Sequence, residues 1–132
     1  MSVLGRQVPG WAVAAVSALL ILAVMIPALS SSAPAREIRL VAKDMTFYLE
    51  SDLQTPNPTI TVKAGERVRL TLRNDDRGMT HDFALAAADA ELDPITWNQS
   101  AVVTFAAPAR AGTYEYVCRP HQLMMRGVIR VD

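Results

Sequence analysis

The sequence predicts an all-β domain, a sandwich or barrel of about seven to eight short strands, behind an N-terminal apolar helix. Three observations support this. From Arg36 onward, apolar and polar residues alternate with a period of two in runs of four to eight. Gly, Pro, Asn and Asp punctuate those runs, the pattern of an antiparallel β-sandwich. No stretch after the leader keeps a helical period of useful length.

The leader comes first. Residues 11–29 carry no charge and are almost wholly apolar. As a helix they would be about 28 Å long, close to the roughly 30 Å hydrocarbon core of a bilayer. Arg6 precedes the run, and Ser30-Ser-Ser-Ala-Pro-Ala35 follows it. A positive flank, an apolar core and small residues form the layout of an export signal. Ala33 with Ala35, or Ala28 with Ser30, offers a cleavage site, and the uncleaved run is long enough to serve as a membrane anchor. A buried core helix is disfavoured because the run lacks a polar face. Residues 1–35 are therefore expected to be a signal peptide or membrane anchor plus linker, with an exported, extracytoplasmic or periplasmic domain at 36–132.

Within that domain Ile38, Leu40 and Ala42 alternate with polar or outward positions, as do Ile60 and Val62. Ala64-Gly65-Glu66 makes a turn. Val68, Leu70 and Leu72 alternate with Arg67, Arg69, Thr71 and Arg73, the pattern of a strand with one wet face. Asn74–Gly78 is a polar loop. His81, Phe83 and Leu85 share one parity, so a strand there points the histidine inward. Residues 86–98 are less regular and fit a short helical or coil excursion. Val102–Phe105 is a strand ended by Pro108 and Gly112. Tyr114, Tyr116 and Cys118 share a face on the next strand, and Val128–Val131 closes the domain.

Composition excludes several functions. Thirteen basic and thirteen acidic residues cancel, with no basic stripe for nucleic acid and no acidic tail. Catalytic triads and phosphate-cradling glycine loops are absent. The single cysteine, Cys118, cannot form an internal disulfide. An exported free thiol is exposed to oxidation unless something occupies it, the alternative being a buried inert residue.

The neighbours of Cys118 favour occupation. Cys118, His121, Met124 and Met125 lie within eight residues, and the only other histidine is His81. Soft sulfur with imidazole selects copper, and two histidines, a cysteine and a weak axial methionine make the blue-copper set. Pro120 stiffens the segment by fixing its φ. Zinc is disfavoured because its sites rarely use methionine. The axial position is open between Met124 and Met125.

Four segments together carry a family resemblance: Val62-Lys-Ala-Gly-Glu-Arg-Val68, the loop from Asn74 into His81, Gly112-Thr-Tyr-Glu-Tyr-Val-Cys118, and Cys-x-x-His followed by Met-x-Gly. Over essentially all of 36–132 the chain resembles the cupredoxins. The resemblance implies a Greek-key β-sandwich with one mononuclear type 1 copper at one end. It also implies a single-electron carrier rather than a catalyst, serving redox proteins such as a cytochrome or a membrane oxidase or reductase, and working as a monomer. Copper delivery or storage, and a redox module of a membrane oxidoreductase, are the alternatives; Met79 near His81 is compatible with the first. The family places a glycine two residues after the axial methionine, which favours Met125 over Met124 through Gly127. Binuclear oxidase-type centres need a second cysteine, and multicopper oxidases flank the cysteine with histidines; neither pattern is present.

Two positions depart from the family pattern. Asp82 stands where asparagine is usual, and Arg119 where serine or threonine is common. An Asp82–Arg119 ion pair would replace the neutral link between the ligand loops; otherwise both charges are solvated. The resemblance also implies that His121 lies near the surface as the electron port, beside an apolar docking patch of Leu123 and Met124. Arg119 and Arg126 are expected to give that patch a positive rim.

Overall fold

The computed structural model describes residues 33–132. The apolar run at 11–29, with the expectation of a signal or anchor, lies outside the described residues. Nine strands follow in chain order: β1 (Arg36–Lys43), β2 (Thr46–Leu49), β3 (Thr59–Val62), β4 (Arg67–Asn74), β5 (Ala84–Leu85), β6 (Ala90–Glu91), β7 (Ser100–Ala106), β8 (Gly112–Val117) and β9 (Arg126–Val131). They form two sheets, β2-β1-β4-β7 and β3-β9-β8-β5-β6. The irregular stretch after Leu85 holds a 3₁₀ turn at Ala86–Ala88, and a second turn spans Arg119–His121.

The fold is all-β, but the sheets are mixed rather than purely antiparallel. β1 pairs with β4 in parallel, from Arg36 against Val68 to Ala42 against Asn74. β3 likewise pairs in parallel with β9. Period-two patterning reports which face a side chain uses and is silent on the direction of the partner strand.

The alternation in β4 is realised in full: Val68, Leu70, Leu72 and Asn74 are buried, while Arg67 and Arg69 are exposed. Facing them from the second sheet are Ile60, Val62, Tyr116, Ile129 and Val131. Val41 breaks the pattern, being buried between Leu40 and Ala42. The strand expected from His81 to Leu85 is much shorter in hydrogen bonds than in sequence. His81 makes a single bridge to Ile95, and β5 itself has two residues. His81, Phe83 and Leu85 are nevertheless all buried, and so is Asp82. Parity set the inward face, and loop packing covered the other.

One contact fixes where the last strand begins. The β8–β9 register sets Tyr116 opposite Gly127. The Tyr116 ring lies 5.5 Å from Phe47 and 5.6 Å from Phe83 between centroids. Its hydroxyl donates to the Pro58 carbonyl at 2.6 Å. A Cβ on Gly127 would fall inside that ring. The ring is pinned on both sides and at its tip, so it has nowhere to move. Burial pushes the Tyr116 hydroxyl well above its ordinary pKa, which keeps it neutral and able to donate.

Gly127→Ala is therefore expected to destabilise the domain by about 1–3 kcal/mol or more through overpacking. Tyr116→Phe, which strands a buried carbonyl, should cost about 1–3 kcal/mol. Chemical denaturation of each variant checks both; a neutral Gly127→Ala would show that the ring is free to shift.

Candidate metal centre

Cys118 leaves β8 in extended conformation and starts the turn that contains Pro120. Backbone hydrogen bonds then close the segment on itself. The Cys118 amide donates to the Met125 carbonyl at 3.0 Å, and the His121 amide donates to the Cys118 carbonyl at 3.1 Å. The Met124 and Met125 amides both donate to the His121 carbonyl, at 3.0 and 2.9 Å. These bonds fold the chain from Cys118 through His121 to Met125 into one closed turn. The other limb is His81, held by reciprocal backbone bonds to Ile95 at 3.0 and 2.8 Å.

The two limbs meet at the cysteine sulfur. Cys118 Sγ lies 3.7 Å from Nδ1 of His81 and 3.7 Å from Nδ1 of His121. The three donor atoms all lie within 4.8 Å of one another. Nitrogen and sulfur atoms bonded to one ion at about 2.0–2.3 Å stand roughly 3.5–4 Å apart, so these spacings suit a shared ion. His81, Cys118 and Met125 are buried and His121 is half-buried, whereas Met124 is 55% exposed and Leu123 90% exposed. Burial pushes the Cys118 thiol up, opposed by the Asp82 amide at 3.5 Å from Sγ. Cys118 would hold a metal here as the thiolate, so binding would release the thiol proton. The donor set is soft and nitrogenous, with no carboxylate in it, which fits copper rather than a hard cation. His81, Cys118, His121 and Met125 form a type 1 copper-like site.

Asp82 and Arg119 are joined rather than separately solvated. Asp82 Oδ1 accepts the Arg119 amide and Oδ2 accepts Arg119 Nε, both at 2.7 Å. Arg119 also donates to Glu91 at 2.8 Å and to the Leu92 carbonyl at 3.0 Å. The neighbouring carboxylates hold the guanidinium above its ordinary pKa, Asp82 foremost. Arg126 pairs with Glu115 at 2.7 Å. Arg119 and Arg126, the two cations expected at the rim of the docking patch, are each paired with carboxylates.

Three residues given no individual role from the sequence help to build the site. Buried Asn74 donates to the carbonyls of Met79 and Ile95, each at 2.9 Å, and so shapes the approach to His81. Asn57, at φ 45°, accepts from the Phe47 amide and donates to the Met124 carbonyl at 3.0 Å. Asp76 contacts His81 at 2.8 Å. Burial pushes the Asp76 carboxyl up, but hydrogen bonds from the Met45 and Asp44 amides and from His81 outweigh it and hold it below its usual value. The signals for Asn74 and Asp76 were the polar character of the 74–78 loop and its place in the family pattern; Asn57 had none.

The domain is similar to several solved structures. Auracyanin B is 25% identical, with a TM-score of 0.62, covering 77% of this chain and 92% of that one. Auracyanin A, a blue copper protein from Chloroflexus aurantiacus, is 23% identical, with a TM-score of 0.59, covering 75% and 100%. The periplasmic domain of cytochrome oxidase subunit II from Bradyrhizobium japonicum is 15% identical, with a TM-score of 0.57, covering 76% and 86%. No curated protein sequence matches the chain significantly. The family model of the cupredoxin-like domain matches residues 16–131, and on that match the chain belongs to the cupredoxin family.

Proposed function

We propose that residues 36–132 form an exported type 1 copper domain that carries single electrons between redox proteins. The observation that carries this reading is the convergence of His81 Nδ1, Cys118 Sγ and His121 Nδ1 within 4.8 Å. Met125, buried and bonded through its backbone to Cys118 and His121, is the axial ligand in this reading. When bound, copper supplies a one-electron Cu(II)/Cu(I) couple. The chain's own part is to hold unlike donors still. Cu(I) favours soft, low-coordinate sites and Cu(II) favours nitrogen, and a stiff scaffold that suits neither fully leaves little to rearrange.

His121 is the ligand that reaches the surface. It lies in a shallow hollow of about 380 Å³ lined by Arg119, Pro120, Gln122, Leu123 and Met124. A small apolar contact of this kind, with its charges already compensated, suits brief redox encounters. The likeness to an oxidase subunit II domain supports a second reading, a redox module of a membrane oxidoreductase, with residues 1–35 as leader or anchor. Exposed Met79 and Met124 are the features that favour copper delivery instead.

Voltammetry of the copper-loaded protein separates these readings. A carrier should show a reversible one-electron couple and keep its Cu(I) against a competing chelator over many cycles. Prompt loss of Cu(I) to the chelator would favour delivery and sink the carrier reading.

The Asp82–Arg119 pair yields a second expectation. Asp82→Asn removes a negative charge close to Cys118 and should raise the reduction potential, while Arg119→Ser should lower it. In the Asp82→Asn background the Arg119→Ser shift should fall to roughly half or less, as for residues in contact. Equal shifts in both backgrounds would show that the pair does not act as a unit.

A further inference from the structure

Among the described residues, Asp76 is a shielded charged group with four specific hydrogen bonds that the copper reading leaves without a role. It sits in the polar loop after β4, with its side chain largely shielded. Its amide donates to the buried Asn74 side chain at 2.8 Å. Its Oδ1 accepts the Asp44 amide at 2.6 Å, and its Oδ2 accepts the Met45 amide at 3.0 Å. Those amides belong to the two-residue turn between β1 and β2, where Asp44 and Met45 have φ of 52° and 59°. Left-handed backbone at two successive non-glycine residues is costly, and for the unbranched apolar Met45 it has no side-chain compensation. The turn accepts that strain in a geometry that aims both amides at one carboxylate.

The remaining contact of Asp76 is with the buried His81. Oδ2 lies 2.8 Å from Nε2, while Nδ1 of the same ring faces Cys118 Sγ at 3.7 Å. The two ring nitrogens therefore have separate duties. An ionised carboxylate only accepts hydrogen bonds, so Nε2 must be the donor and must carry the proton. In the neutral imidazole that leaves the Nδ1 lone pair on the side of Cys118 Sγ. If its only role were to close the turn, Asp76 would need the two amides alone. The third contact runs to the one histidine ring that is wholly enclosed.

We infer that Asp76 is a positioning residue for His81: it fixes the Nε2–H tautomer and ring orientation, and its negative charge makes Nδ1 a stronger donor. This rests on the copper reading for its consequence, since a more basic imidazole favours the oxidised over the reduced ion. For its geometry it does not. The β1–β2 turn, the Asn74 loop and His81 form one connected support behind the site. Carboxylates behind metal-bound histidines act in this way, and their loss typically lowers metal affinity about 10–100-fold.

Two measurements test it. In the metal-free, unmutated protein, at a pH high enough that the ring is neutral, ¹⁵N NMR of the imidazoles should show His81 as the Nε2–H tautomer with a slowly exchanging proton. The Nδ1–H tautomer, or fast exchange between the two, would overturn the proposal without reference to copper. In Asp76→Asn, whose backbone amide spectrum reports whether the fold is intact, Cu(II) affinity should fall about 10–100-fold. Cu(I) affinity should fall about tenfold less, which raises the potential by about 59 mV for a one-electron couple. A folded variant with an unchanged potential would assign Asp76 to the turn alone. Failure of the unmutated protein to bind copper would instead remove the functional reading and leave the tautomer result standing.

Discussion

The metal end of this domain depends on holding His81 against a loop that arrives much later in the chain, and the buried carboxylate of Asp82 provides the link. A charge with 1% side-chain exposure has to be paired and hydrogen-bonded to be tolerated. Asp82 meets that need with the backbone amide and the guanidinium of Arg119, one residue beyond Cys118. Its own amide points at the cysteine sulfur. The cost of burying this charge is thereby tied to the approach of the two ligand segments. Any opening between them would leave a carboxylate unpaired in an apolar surround.

The rest of the site follows from that junction. The 118–125 segment is closed by its own backbone bonds, so it presents its donors as a unit rather than as separate side chains. Behind it, Gly127 gives way to the Tyr116 ring, which fixes the start of β9 and thereby the end of the loop. His81 is held from the other side by Ile95, Asn74 and Asp76. Such over-determination would suit the proposed one-electron role, in which movement of the ligands between oxidation states slows transfer. Of the three converging donors only His121 is part-exposed, beside Leu123 and Met124.

Much of this was legible in the sequence. The period-two runs marked β1, β3, β4, β8 and β9 because a half-buried strand must alternate. Cys118 and the two histidines stood out by scarcity and spacing, since each had a single chemical use. The parallel β1–β4 and β3–β9 pairs were not legible, because alternation carries no direction. Nor was Asp76, whose role depends on the amides of Asp44 and Met45 some thirty residues earlier. The compensation of Arg119 and Arg126 was hidden for the same reason: Glu91 and Glu115 reach them only through strand register.

The most direct measurement is the visible spectrum of the purified metal-free protein on addition of Cu(II). The expected result is an intense blue or green thiolate-to-copper band at one equivalent, absent in Cys118→Ser. No band in the unmutated protein, or a band that survives the loss of Cys118, would contradict a type 1 copper site at this cluster.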